Sequence, residues 1–203
     1  MDISFLKGAQ TMDERSNFIT SLVGEEIIKI HEIKDEVPDT PGVYSWWWLG
    51  TSILLERIET TQLSYQDVKV LFAREEFETY QSSIKSARIL WEERGFLESN
   101  RIPLYVDRGG VDGKASLKDK LLQDVSFIIQ NRSRKWFFYL LDYYFPEFLE
   151  DGFLPLEFWE ENLGFSFQTA SKRDILFYSL KECTIGYLQP LFNTEWDIKE
   201  EFT

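Results

Sequence analysis

Pro41-Gly42-Val43-Tyr44 and Pro103-Leu104-Tyr105-Val106-Asp107 are the two stretches on which the reading of this chain turns. Each places a tyrosine in a β-type run, and the second leads through Gly109-Gly110 into Ser116-Leu117-Lys118-Asp119-Lys120-Leu121. A third stretch, Gln189-Pro190-Leu191-Phe192-Asn193, closes the pattern near the C-terminus. Gly42 to Leu49 reads as a strand, because Val, Tyr and three consecutive Trp are strongly β-type residues and Gly50 ends the run. Ile102 to Val106 is its partner. Asp107 to Ala115, with three glycines, reads as a loop, and Ser116 caps a helix running to about Gln130.

Working outward, Thr51 to Asn100 is too long and too rich in helix formers for a hairpin connection. Ser64-Tyr65-Gln66-Asp67 resembles a capping box with Asp in place of Glu. Val68 to Trp91 then reads as one or two helices inserted between the strands. Thr11 to Ile33 is expected to be helical, with Phe18, Leu22, Ile27, Ile28 and Ile30 near helical spacing, and Pro38 and Pro41 break the chain before the first strand. Trp136 to Leu141 is a buried helix or a buried strand, and periodicity does not separate the two. Phe165 to Thr169 alternates as a strand, and Ser171-Lys172-Arg173-Asp174 caps a helix to about Leu188.

Composition bounds the function. Hydrophobic residues make up 43% of the 203, enough to bury a core and to exclude a disordered chain. No apolar run approaches the length of a membrane span, and the N-terminus lacks a signal-peptide layout, so a soluble, cytoplasmic protein with no membrane partner is expected. The single cysteine, Cys183, and the single histidine, His31, exclude an internal disulfide, a Cys-based metal site and a His-based triad. Cys183 reads as helix packing, His31 as structural or surface, and Trp46, Trp47 and Trp48 as packing rather than a base-stacking platform.

The net charge of −13 opposes casual nucleic-acid binding, but it is unevenly spread. A basic strip runs from Arg101 to Lys135 (Arg101, Arg108, Lys114, Lys118, Lys120, Arg132, Arg134 and Lys135 against four aspartates). Residues 136–170 follow with seven carboxylates and no Lys or Arg. The strip is either a DNA contact or a solvated face of mixed charge.

The paired tyrosine motifs, the helix after the second and the Pro-Leu-Phe-Asn ending resemble the GIY-YIG nuclease domain, closest to its restriction-enzyme-like branch, over roughly residues 41 to 193 without the insert. The resemblance implies an α+β fold: a small, mostly antiparallel central sheet flanked by helices, with the helical insertion at about 51–100 between the two motif strands. It divides the chain into an N-terminal helical segment, 1–40, and the GIY-YIG-like domain, 41–203. It also implies a site. Tyr44 and Tyr105 fall on the motif tyrosines, Asn193 on the terminal asparagine and Lys120 where an arginine is expected. Asp107 takes the place of the second motif's glycine, and Asp124 that of a residue often histidine.

The metal-binding glutamate of the family falls on Lys181, counting back from Asn193. A lysine does not bind Mg²⁺. Glu182 becomes the ligand only with a one-residue shift, and neighbouring helix residues point about 100° apart. Asp107, Lys120 and Lys181 each remove something that phosphodiester cleavage needs. The expectation is therefore a GIY-YIG-fold protein with a degraded nuclease site, acting by DNA or protein binding. The alternatives are an active DNA endonuclease using Mg²⁺ with Tyr105, Lys120 and Glu182, and an acidic inhibitor or decoy.

Overall fold

A computed structural model of the chain describes residues 12–24, 26–71, 73–110, 115–130, 136–170 and 177–193. Its elements, in order, are α1 (Met12–Gly24), β1 (Ile28–Lys29), a 3₁₀ turn (Ile30–Glu32), α2 (Ile33–Glu36), β2 (Gly42–Leu49), α3 (Thr51–Thr61), α4 (Tyr65–Val68), α5 (Arg74–Glu93) and β3 (Arg101–Gly109). They continue with α6 (Leu117–Gln130), α7 (Trp136–Tyr144), a second 3₁₀ turn (Pro146–Phe148), α8 (Leu156–Asn162), β4 (Leu163–Thr169) and α9 (Phe177–Leu188).

Four strands form one antiparallel sheet in the order β1-β4-β2-β3, so the expected α+β class with a helical insertion after the first long strand is observed. β2 lies in the middle, and Gly42 to Trp48 are all buried. A strand covered on both faces reads as continuously apolar, which is how the three tryptophans fit here. Trp46 meets Phe165 edge-on, Trp47 meets Phe96, and Trp48 stacks on Phe145. All three tryptophans are buried, as packing residues.

β3 is the edge strand on the other side of β2. Its pairing shifts register between Trp46↔Tyr105 and Trp47↔Pro103, leaving Leu104 as the extra residue of a bulge. The exposed side of this edge is not left open. Leu191 N–H donates to Pro103 O at 2.9 Å and Phe192 N–H to Leu104 O at 2.8 Å. Asn193 continues the run with its side chain: Oδ1 accepts from Val106 N–H at 2.5 Å, and Nδ2 donates to Val106 O at 2.9 Å. The Pro-Leu-Phe-Asn ending thus covers a sheet edge that would otherwise invite pairing with another chain.

Two sequence expectations change. The helix expected from Thr11 to Ile33 stops at Gly24, and Ile28–Lys29 pairs with Phe165 and Gly164 as β1. Bare Gly164 makes this possible, because a Cβ there would lie 2.2 Å from Ile27 Cγ2. The segment before residue 41 therefore contributes an edge strand to the sheet. The ambiguous aromatic run is a helix, α7, whose continuation buries Leu140, Leu141, Tyr144 and Phe145, a helical stripe. The cap expected at Ser171 to Asp174 lies outside the described residues.

The insertion is fastened through α5. Trp91 of α5 points its indole N–H at Leu188 O (2.9 Å) and Gln189 O (3.1 Å), where α9 ends. Tyr80 of the same helix stacks on Phe192 at 6.2 Å between ring centroids and meets the Tyr144 hydroxyl at 3.1 Å. The expected capping box forms at α4, with Asp67 accepting from Ser64 N–H at 2.8 Å and from its hydroxyl at 2.6 Å. No described helix is long and apolar enough to cross a membrane.

Candidate functional site

Cross-strand pairing builds the site first. Tyr44 on β2 lies opposite Asp107 on β3, and Trp46 lies opposite Tyr105, so four side chains share one sheet face. α6 is then laid against this face. Its start is fixed by Ser116, whose hydroxyl accepts from Asp119 N–H at 3.1 Å while Asp119 Oδ2 accepts from Ser116 N–H at 3.2 Å. The approach is close because Gly109 has no side chain: a Cβ there would fall 2.6 Å from Leu117 Cα. Leu117, Leu121, Asp124 and Val125 form the buried stripe of α6, and Lys120 sits one turn before Asp124. α9 brings in Lys181.

The result is a buried, charge-balanced cluster. The Tyr44 hydroxyl donates to Asp124 Oδ2 at 2.7 Å, and the Trp46 indole N–H reaches the same oxygen at 3.3 Å. Asp107 Oδ2 lies 3.5 Å from both tyrosine hydroxyls, and its Oδ1 accepts from Arg108 N–H at 2.9 Å. Lys181 Nζ approaches Asp107 Oδ1 at 3.6 Å, and Lys120 Nζ approaches Oδ2 at 3.8 Å. Asp107, Asp124, Tyr44 and Lys181 are all at most 5% exposed. Asp107 thus faces two ammonium groups in a region where an unpaired charge is costly.

This environment sets the tyrosine's chemistry. Burial, followed by the carboxylates of Asp124 and Asp107, pushes the Tyr44 phenol well above its ordinary 10.0. At neutral pH it holds its proton and acts as a donor to Asp124.

The structure gathers Tyr44, Tyr105 and Lys120 around Asp107, and it places Asn193 on the adjoining edge of β3 as a clamp on Val106. Of the two neighbours on α9, Lys181 enters the cluster. Glu182 makes no hydrogen bond or ion pair with it among the described residues, and its Oε2 is buried without a hydrogen-bond partner there. The described residues hold no group of three His, Cys, Asp or Glu side chains able to bind a metal ion. With an ammonium at Asp107, the cluster does not fit Mg²⁺. Sequence reasoning missed Trp46 as a polar partner. Its indole N–H was the available signal, since a buried one needs an acceptor.

The basic strip is partly consumed by the fold. Arg101 donates to Val23 O at 2.7 Å and lies over the Trp47 ring at 4.9 Å, and burial lowers its pKa. Lys120 is committed to Asp107. Lys114, Arg132, Arg134 and Lys135 lie outside the described residues. His31 is on the surface, and Cys183 is a half-buried free thiol.

Compared with protein-family models, with curated proteins and with solved structures, the chain matches none.

Proposed function

We propose that this chain is a GIY-YIG-like scaffold whose nuclease centre has become a structural ion cluster, and that it works by binding a protein partner without cleaving phosphodiesters. The observation that carries the reading is the buried ammonium of Lys181 beside Asp107. It supplies, as a fixed side chain, the positive charge that a divalent cation would bring, and it leaves no electrophile free to meet a phosphate. Tyr44 supports the same reading, because its hydroxyl is engaged inside the cluster by the 2.7 Å bond it donates to Asp124. A protein partner is favoured over DNA by the net charge of −13 and by the commitment of Arg101 and Lys120 to internal contacts.

The test is nicking of supercoiled plasmid with Mg²⁺ and with Mn²⁺, using wild type and Lys181→Glu. Wild type is expected to leave the plasmid supercoiled with either metal. Metal-dependent nicking by wild type that disappears in Glu182→Ala would replace this reading with the endonuclease. Salt-sensitive retention of wild type on DNA would replace the protein partner with DNA.

A further inference from the structure

A cavity of about 460 Å³ lies within the insertion, between α3 and α5, and none of the residues lining it belongs to the ion cluster. Its size falls in the range of small-molecule sites. α3 supplies Leu55 and Ile58 to the lining, α5 supplies Phe77, Tyr80 and Ile84, and α7 adds Tyr144. The polarity of the lining is sorted by exposure. Its aliphatic and aromatic residues are all buried or half-buried, whereas Glu59, Gln62, Gln81, Lys85 and Arg88 are all exposed. The interior is therefore apolar and the mouth polar. An amphipathic helix ordinarily buries its apolar stripe against a neighbour. Ile58 and Ile84 stay half-buried because the cavity stands between their two helices.

The walls are held by contacts of their own. Tyr80 stacks on Phe77 at 6.4 Å and on Phe192 at 6.2 Å, and its hydroxyl meets that of Tyr144 at 3.1 Å. Gln81 Nε2 donates to Leu63 O at 3.3 Å, which ties the turn after α3 to α5. Arg88 and Glu59 form an ion pair that joins the same two helices at the mouth. The mouth thus carries both signs. With Glu59 matched by Arg88, Lys85 is the charge in the lining that has no ion pair or side-chain hydrogen bond among the described residues.

From this sorting we infer that the cavity binds a small amphipathic carboxylate of the fatty-acid kind, with its chain among Leu55, Ile58, Phe77 and Ile84 and its head group at Lys85. Burial of the chain provides most of the affinity, and the head group sets the orientation. A neutral head would leave Lys85 unanswered, and a cationic one would meet it with like charge. The inference goes beyond the partner reading above and is independent of it.

Calorimetric titration of the full chain with sodium decanoate, below micelle-forming concentrations, tests it. One saturable site is expected. Octanoate should bind about ten- to twentyfold more weakly, since each methylene contributes about fourfold. Decyltrimethylammonium, with the same chain and the opposite head, should bind at least about tenfold more weakly than decanoate. Ile84→Trp fills the cavity and should abolish the site, with circular dichroism and the thermal midpoint checking that the variant folds. Lys85→Gln alters an exposed side chain and should weaken decanoate about two- to fivefold while leaving decanol unchanged. Absence of a saturable site overturns the inference. So does a site that persists in folded Ile84→Trp, or decyltrimethylammonium binding as tightly as decanoate. Should Ile84→Trp fail to fold, Lys85→Gln decides, because equal decanoate affinity in that variant and wild type also overturns it.

Discussion

The ammonium of Lys181 lies 3.6 Å from a carboxylate oxygen of Asp107, and both side chains are buried. The two residues are the positions at which the motif's glutamate and glycine are expected, so each departure sits against the other. A carboxylate on β3 without the lysine would lose its buried ammonium and keep Lys120, at 3.8 Å and one-third exposed, together with the Arg108 N–H. Lys181→Met should therefore cost about 3–5 kcal/mol, and the double variant Asp107→Asn/Lys181→Met much less than the sum of the singles. Urea unfolding of the four proteins checks this. A single-variant cost below about 1 kcal/mol would mean that the pair is not a unit.

Tyr44→Phe removes the 2.7 Å donor to Asp124, whose carboxylate keeps the Trp46 indole among its partners. The expected loss is about 1–3 kcal/mol.

Alkaline pH offers a second view of the same phenol. The folded-state values of Tyr44 and Tyr80 are raised well above 10.0, and burial pushes Tyr144 up to about 12. A raised value means that the folded state holds protons which the unfolded state has lost. The stabilisation is fully present below pH 10.0 and declines as pH climbs through the folded-state values. Stability should fall steeply above pH 10.0, and Tyr44→Phe should flatten the slope by about one proton. Unfolding midpoints measured against pH, with phenolate absorbance recorded alongside, test it. Native-state ionisation of all nine tyrosines near pH 10.0 would contradict the burial.

Asn193→Ala removes both bonds to Val106 and reopens the edge of β3. Amide exchange at Val106 should accelerate while that at Ser45 on the interior strand stays slow. The variant should also self-associate more readily at high concentration. Unchanged protection at Val106 would mean that the side-chain clamp is dispensable.

Gly109→Ala places a methyl group 2.6 Å from Leu117 Cα and 2.7 Å from Leu117 N, both backbone atoms. Helix α6 must then shift away from the sheet and carry Lys120 and Asp124 with it. A loss of about 1–3 kcal/mol by thermal melting is expected, together with a weakened response of stability to Asp124→Asn.

Local chemistry made much of this legible. β2 spans Gly42–Leu49 as its β-branched and aromatic residues indicate, and Ser116 and Ser64 cap helices because their partners stand three residues on. Counting back from Asn193 singled out Lys181, since a helix running into a fixed ending keeps its phase. The remainder depends on contacts distant in sequence. Nothing near Asp107 announces Lys181, 74 residues later, and nothing near Trp46 announces Asp124. β1 is two residues long and exists because Gly164 leaves room for Ile27, which no periodicity in residues 11–33 displays. The aromatic run of α7 carries no polar residue until Asp142, so its period was hidden until its buried stripe was seen.

Under the proposed reading the Lys181 ammonium stands in for a divalent cation, and titration with Mn²⁺ decides between the two. Wild type and the double variant Asp107→Gly/Lys181→Glu, which places at these positions the glycine and glutamate that the resemblance leads one to expect, are compared by calorimetry and by the shift in thermal midpoint. Wild type should show no saturable Mn²⁺ site and no shift, whereas the double variant should gain one site and a metal-dependent rise. A single saturable site in wild type that survives in Lys181→Met and vanishes in Glu182→Ala would show that Glu182, and not the lysine, governs the centre.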